Sequence, residues 1–185
     1  YGEWLRSPYS DPDTGQTCQD CHMPATGATV FAAPEAGGLE RDPEMIRSHL
    51  MPGASDEELL GDTVTLTANA SREGSGVTVE VTIVNDRAGH HVPTDSPLRH
   101  MILLVAATDA DGIALPQVAG PVLPDWVGTG DPEMGHYAGL PGVAYAKVLE
   151  ELWTGISPTG AYWNPTRVVS DNRIAALESD TTTYE

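Results

Sequence analysis

The chain has 185 residues, enough for one large domain or two small ones and for a modest core. Its 27 acidic side chains against 9 basic ones leave a formal net charge of −18, which argues against nucleic acid and against anionic lipid as partners. No run of about 18 apolar residues occurs, so no membrane-spanning helix is expected. An acidic surface of this kind is first of all a solvated one, and it also suits docking to a basic partner.

The opening stretch, YGEWLRSPYS, has neither an initiator methionine nor a signal peptide, so a processed chain or one cut from a longer product is expected. Trp4, Leu5, Tyr9 and Phe31 are apolar groups that suit either the cover of a bound cofactor or a small satellite core. Residues 17 to 24, TCQDCHMP, hold the only two cysteines of the chain. A zinc site would need four ligands, and there is neither a second cysteine pair nor a following H-x3-H. A thioredoxin-like pair would sit in a βαβ unit, whereas the flanks here are rich in Pro, Gly and Thr. A structural disulfide leaves His22 unexplained. C-x-x-C-H is the attachment signature of c-type haem: two thiols add to the haem vinyl groups and the adjacent histidine ligates the iron. One covalent haem c on Cys18, Cys21 and His22 is therefore expected. Such attachment takes place outside the bacterial cytoplasm, so the periplasm or the cell exterior is the expected compartment.

The second axial position has several candidates. Histidines stand at 49, 90, 91, 100 and 136, and methionines at 23, 45, 51, 101 and 134. In DPEMIRSHLMPG, Asp42 reads as an N-cap and Pro43 as the first residue of a short helix. That helix would put Met45 and His49 on one face, and it stops before Pro52-Gly53. His49 is the favoured distal ligand, with Met51 the alternative in the same segment. A second helix is expected over about 55 to 60, started from Ser55. In NDRAGHHVPTDSPLRH, a turn between two strands, His90 is the other alternative, for this haem or for one nearby. A zinc site of His90, His91 and His100 lacks a clear fourth ligand.

From residue 62 the pattern turns to strands. TVTLTA would align Val64, Leu66 and Ala68, and VTVEVTIV aligns Val77, Val79, Val81 and Ile83, with SREGSG as the hairpin between them. HMILLVAAT is a continuous apolar run and reads as a buried central strand. DADG lacks the spacing of a calcium loop and reads as a plain turn. AYAKVLEELW fits helix or strand equally, whereas TRVVSDNRI and TTTYE read as strands. The last of these has no closing element after it, so its partner is expected outside the sequence given. The expected fold is mainly β with short helices. An irregular, helical haem c-binding segment (1–61) precedes an antiparallel β-sandwich domain (62–185).

Taken together, EWLRSPYSDPDTGQTCQDCHMP, RSHLMPGA, AGHHVPTDSPLRH, HYAGLPGVAYAKVL and VVSDNRI resemble the bacterial multihaem c-type cytochromes that end in a β-sandwich domain. The resemblance implies haem on Cys18, Cys21 and His22, with His49 and His90 at that family's other histidine positions. It implies electron transfer outside the cytoplasm. Two departures stand out: a single haem motif where such proteins carry several, and Pro-Thr-Asp where the family often has Pro-Thr-Gly.

Three functions follow from these residues. The favoured one is an electron carrier with a bis-histidine haem rather than an enzyme, working with other haem proteins or haem domains in a larger assembly. A haem enzyme acting on peroxide or nitrogen oxides would need an open iron site with donors, which Arg99 and the histidine-rich turn could supply. A structural or interaction module would use the sandwich itself, through strand addition at an open edge.

Overall fold

The computed structural model describes residues 1–185, the side chains of Pro34 and Glu73 excepted. Three short helices, α1 (Gly2–Leu5), α2 (Cys18–His22) and α3 (Glu57–Gly61), lie in the first third, with a small ribbon of β1 (Val30–Phe31) and β2 (Leu39–Glu40). The longer strands follow: β3 (Thr65–Glu73), β4 (Gly76–Val84), β5 (His100–Leu104), β6 (Gly142–Glu151), β7 (Thr166–Asp171) and β8 (Ser179–Tyr184). They form two antiparallel sheets, in the orders β3-β4-β8 and β5-β6-β7.

Period-two alternation builds the core between these sheets. Val81 and Ile83 of β4, with Tyr184 of β8, meet Leu103 of β5 and Tyr145 of β6, and Ile174 joins them from beyond β7. The chain is thus the expected mainly β sandwich with short helices. A two-residue turn, Gly74-Ser75, closes the β3–β4 hairpin, and the φ of +62° at Gly74 is one that glycine adopts without steric cost. DADG is the expected plain turn, with Asp109 Oδ1 accepting from the amides of Asp111 and Ile113, both at 2.9 Å.

Three strand expectations change. β5 is an edge strand, pairing with β6 alone, and its apolar run is one-sided: Leu103 is buried while Leu104 is exposed. The central strand is β6, although Ala144, Ala146, Lys147, Leu149 and Glu150 are good helix formers. Burial on both faces overrides that propensity. Tyr145 enters the inter-sheet core, while Ala144 packs on the other side with Leu123, Val127 and Trp126 from the long β5–β6 connection. The inward row expected of Val64, Leu66 and Ala68 holds only at Val64, which packs on the core just before β3. Leu66 is 54% exposed, because β3 is a sheet edge and none of its described residues reaches the core clusters. β8, finally, finds its partner inside the chain: it pairs with β4 from Tyr184↔Val79 to Ser179↔Val84.

Tyr145 is 1% exposed and its hydroxyl donates to Asp180 Oδ2 at 2.7 Å. Burial, the hydrogen bond and the Asp180 charge push this phenol well above its ordinary range. The folded state therefore holds the proton more tightly than the unfolded chain. The associated stability is present below about pH 10 and is lost as pH rises above it. Urea midpoints measured from pH 8 to 11 should fall in the wild type and fall less steeply in Tyr145→Phe. At neutral pH that change should cost about 1 kcal/mol.

Candidate haem-binding site

α2 is specified within a few residues. Asp20 Oδ2 accepts from the amide and the hydroxyl of Thr17, both at 2.8 Å, as part of a capping box. Its other oxygen receives Arg47 at 3.3 Å, and Arg47 also donates to the Met23 carbonyl at 3.4 Å, so both ends of the turn are tied to the 46–48 stretch. The helix places Cys18, Cys21 and His22 on one side, at i, i+3 and i+4. Both thiols are free and exposed. Partial burial, with Asp20 and Cys18 nearby, raises the Cys21 pKa, the opposite of what an activated redox thiolate requires.

The helix expected from Asp42 to His49 is a single 3-10 turn, Pro43–Met45, followed by extended Ile46. Asp42 caps it as read, its carboxylate accepting from the Glu44 amide at 3.0 Å. A helix that short gains little by itself. Residues 46–48 bond instead to 24–26: Thr26 N to Ile46 O and Ser48 N to Pro24 O, both at 2.9 Å. Met45 and His49 therefore share no helix face. His49 is exposed, as are Leu50 and Met51, the latter at a φ of +49°. The next helix, α3, starts one residue later than expected, with Asp56 rather than Ser55 as its cap, accepting from Leu59 N at 2.8 Å.

Of the candidate ligands, the fold brings His90 to His22. Their ring centres are 6.2 Å apart and their planes lie within 14°. His22 Nδ1 is 2.9 Å from Pro52 O, and His90 Nδ1 is 2.9 Å from His91 O. A carbonyl only accepts, so each Nδ1 is the donor, which leaves Nε2 as the nitrogen through which a neutral ring would bind a metal. Two imidazoles joined through one metal by bonds of about 2.0 Å have ring centres about 6 Å apart. At Pro52, whose carbonyl meets His22 Nδ1, a cleft of about 330 Å³ runs between Pro24 and the 48–56 stretch. Leu50, 90% exposed, lies on it with Met51, and uncovered apolar groups of this kind suit an apolar cofactor. The residues present thus fit haem c.

The other histidines stand elsewhere. His100 lies edge-on to Trp126 at 5.8 Å, and His136 packs over Gly128 and Gly130. His91 turns inward, with Nδ1 buried 3.5 Å from Glu3 Oε1. Among the described residues, no cluster of three or more His, Cys, Asp or Glu is placed to hold a bare metal ion.

Sequence reasoning missed three residues around the His90 turn. Asn85 is fully buried and donates to His90 O at 2.8 Å and to Ile174 O at 3.0 Å. Glu3 accepts from the His91 amide and the Thr94 hydroxyl. Burial opposes ionisation of Glu3, but the bonds from Thr94 and Arg173 and the neighbouring positive charge leave its pKa below the ordinary carboxyl value. Arg173 supplies that charge from beyond β7. A buried polar position in a turn was the one available signal, and it applied only to Asn85.

Neither a family model nor a curated protein matches the chain. A solved structure does: a penta-heme cytochrome c552 from Thermochromatium tepidum, with a TM-score of 0.63 and 21% identity. The match covers 99% of this chain and 37% of that one, and at this identity it speaks for the fold.

Proposed function

We propose that this chain is a c-type cytochrome unit that transfers electrons outside the cytoplasm. Cys18 and Cys21 would hold one haem c covalently, and His22 and His90 would be its axial ligands. The observation that carries this reading is the His22–His90 pair, 6.2 Å apart with planes within 14°, beside the two free thiols of C-x-x-C-H. Haem supplies reversible one-electron transfer when bound. Pro52 O and His91 O orient the two imidazoles, and the apolar 50–51 stretch would help to keep water from the cofactor. Two histidines committed to the iron would leave it no free position for a substrate, which favours a carrier over an enzyme of peroxide or nitrogen oxides. His49 and Met51 are the competing distal ligands.

Residues 1–61 serve in this reading as the haem segment and 62–185 as the sandwich that presents His90. The structural neighbour is a penta-heme cytochrome of which this chain covers 37%, which supports placing the unit among other haems in a larger assembly. The net charge of −18 suits a basic redox partner, docked through contacts that salt weakens. Acid–acetone extraction tests the attachment: the colour should stay with the protein, and Cys18→Ser/Cys21→Ser should release it. Extraction of the wild-type haem, or zinc in its place, would overturn the reading.

A further inference from the structure

The His90 ring is held by its backbone, and that backbone is held by residues far away in the chain. His90 Nδ1 bonds to His91 O, so the ring follows the two peptides around His91. Three bonds fix those peptides: Asn85 Nδ2 to His90 O at 2.8 Å, His91 N to Glu3 Oε2 at 3.2 Å, and Val92 N to Ile174 O at 2.9 Å. Two of these are supplied by elements already in the sandwich. The third comes from α1, at the opposite end of the sequence from Arg173.

Glu3 is itself built in. Oε2 also accepts from Thr94 Oγ1 at 2.9 Å, and Oε1 accepts from Arg173 Nη1 at 2.8 Å. The Arg173 side chain is 7% exposed, and its Nε and Nη2 grip both oxygens of Asp171, each at 2.8 Å. Beside this cluster, Ser7 Oγ donates to Gly89 O at 2.9 Å and Tyr9 OH to Asp86 O at 3.1 Å. The Tyr9 side chain lies so close to Gly89 that a Cβ there would come within 2.9 Å of it. A partly buried ion pair is a modest source of net stability, because desolvation offsets much of the attraction. Holding a geometry is what such a pair does well, and here the geometry is that of the residue next to a ligand.

We propose that Glu3, backed by Arg173, is a positioning residue for the haem: it sets the rotation of the His90 ring relative to His22. This rests on the haem reading above. Near-parallel imidazole planes give a ferric low-spin haem a rhombic paramagnetic resonance spectrum. Planes turned toward the perpendicular give a broad spectrum with one large g value. The same rotation alters the orbital energies of the iron and therefore its midpoint potential.

The test uses the haem-loaded protein and three variants, Glu3→Ala, Glu3→Gln and Thr94→Val. Resonance spectrum, midpoint potential and thermal midpoint are read for each. The wild type should give the rhombic spectrum. Glu3→Ala should lose it in favour of the large-g form and shift the potential. Glu3→Gln keeps an acceptor but not the charge and should fall between. Thr94→Val leaves the Arg173 pair intact and should change the spectrum least, in the same direction, which covers the case in which Glu3→Ala does not fold. A lower thermal midpoint with spectrum and potential unchanged would reduce Glu3 to an anchor for α1 and overturn the proposal. A wild type without covalent haem, or with a high-spin one, would remove the haem reading and this proposal with it.

Discussion

On the haem reading proposed above, His90→Ala is expected to turn a six-coordinate, low-spin ferric haem into a high-spin one that binds carbon monoxide once reduced. The ring removed is the one whose centre lies 6.2 Å from that of His22 and whose Nδ1 is bound to His91 O. Its neighbours cannot take over. His91 is turned away, with Nδ1 buried near Glu3, and the turn is tied down by Asn85 and by the Val92–Ile174 bridge. The covalent link should survive, because Cys18 and Cys21 lie on α2 and owe nothing to the turn. His22→Ala should be harsher, since it removes the ligand joined directly to the attachment helix. His49→Ala and Met51→Ala should both leave the spectrum low-spin. If His49→Ala opens the iron while His90→Ala does not, His49 is the second ligand and the near-parallel ring pair plays no part in coordination.

The second large effect is on stability. Asn85 has 0% exposure, and both of its side-chain atoms are used: Nδ2 donates to His90 O and Ile174 O, and Oδ1 accepts from Ala88 N at 3.2 Å. Its backbone is paired as well, with Glu178 O at 2.9 Å and Leu177 N at 2.7 Å. Asn85→Asp keeps the shape and reverses the chemistry. Two donors become an anionic oxygen aimed at two carbonyl oxygens in a buried site. The expected loss at pH 7 is about 3–5 kcal/mol. Burial and the facing carbonyls raise the pKa of the new carboxyl in the folded state. The loss should therefore shrink as pH falls and the acid protonates. Asn85→Ala should cost about 2–3 kcal/mol with little pH dependence, since it leaves unpaired carbonyls but no charge. Urea midpoints at pH 5 and pH 7 separate the two variants. A loss under about 1 kcal/mol for Asn85→Asp would mean that the knot is not closed as described.

What the sequence by itself determined about this protein is what short-range bonds decide. The α2 turn, with its capping box and its cysteines and histidine on one side, lies within residues 17 to 22. The β4 face, the Gly74 hairpin and the Asp109 turn are equally local, because alternation, a permissive φ and a side-chain-to-amide bond need only near neighbours. The tertiary structure decided everything that depends on burial or on partners far along the chain. It made a strand of β6 despite its helix formers, because packing on both faces outweighs propensity. It reduced the helix before His49 to one turn, because backbone partners at 24–26 were better than a short helix could offer. It brought His90, rather than any nearer histidine, to face His22, through a turn clamped by Asn85 and Glu3. The bond between Glu3 and Arg173 spans 170 residues, and no local pattern encodes it. Long-range contacts of this kind form only when the two sheets close, and sheet closure is a property of the whole set of apolar rows rather than of any single stretch.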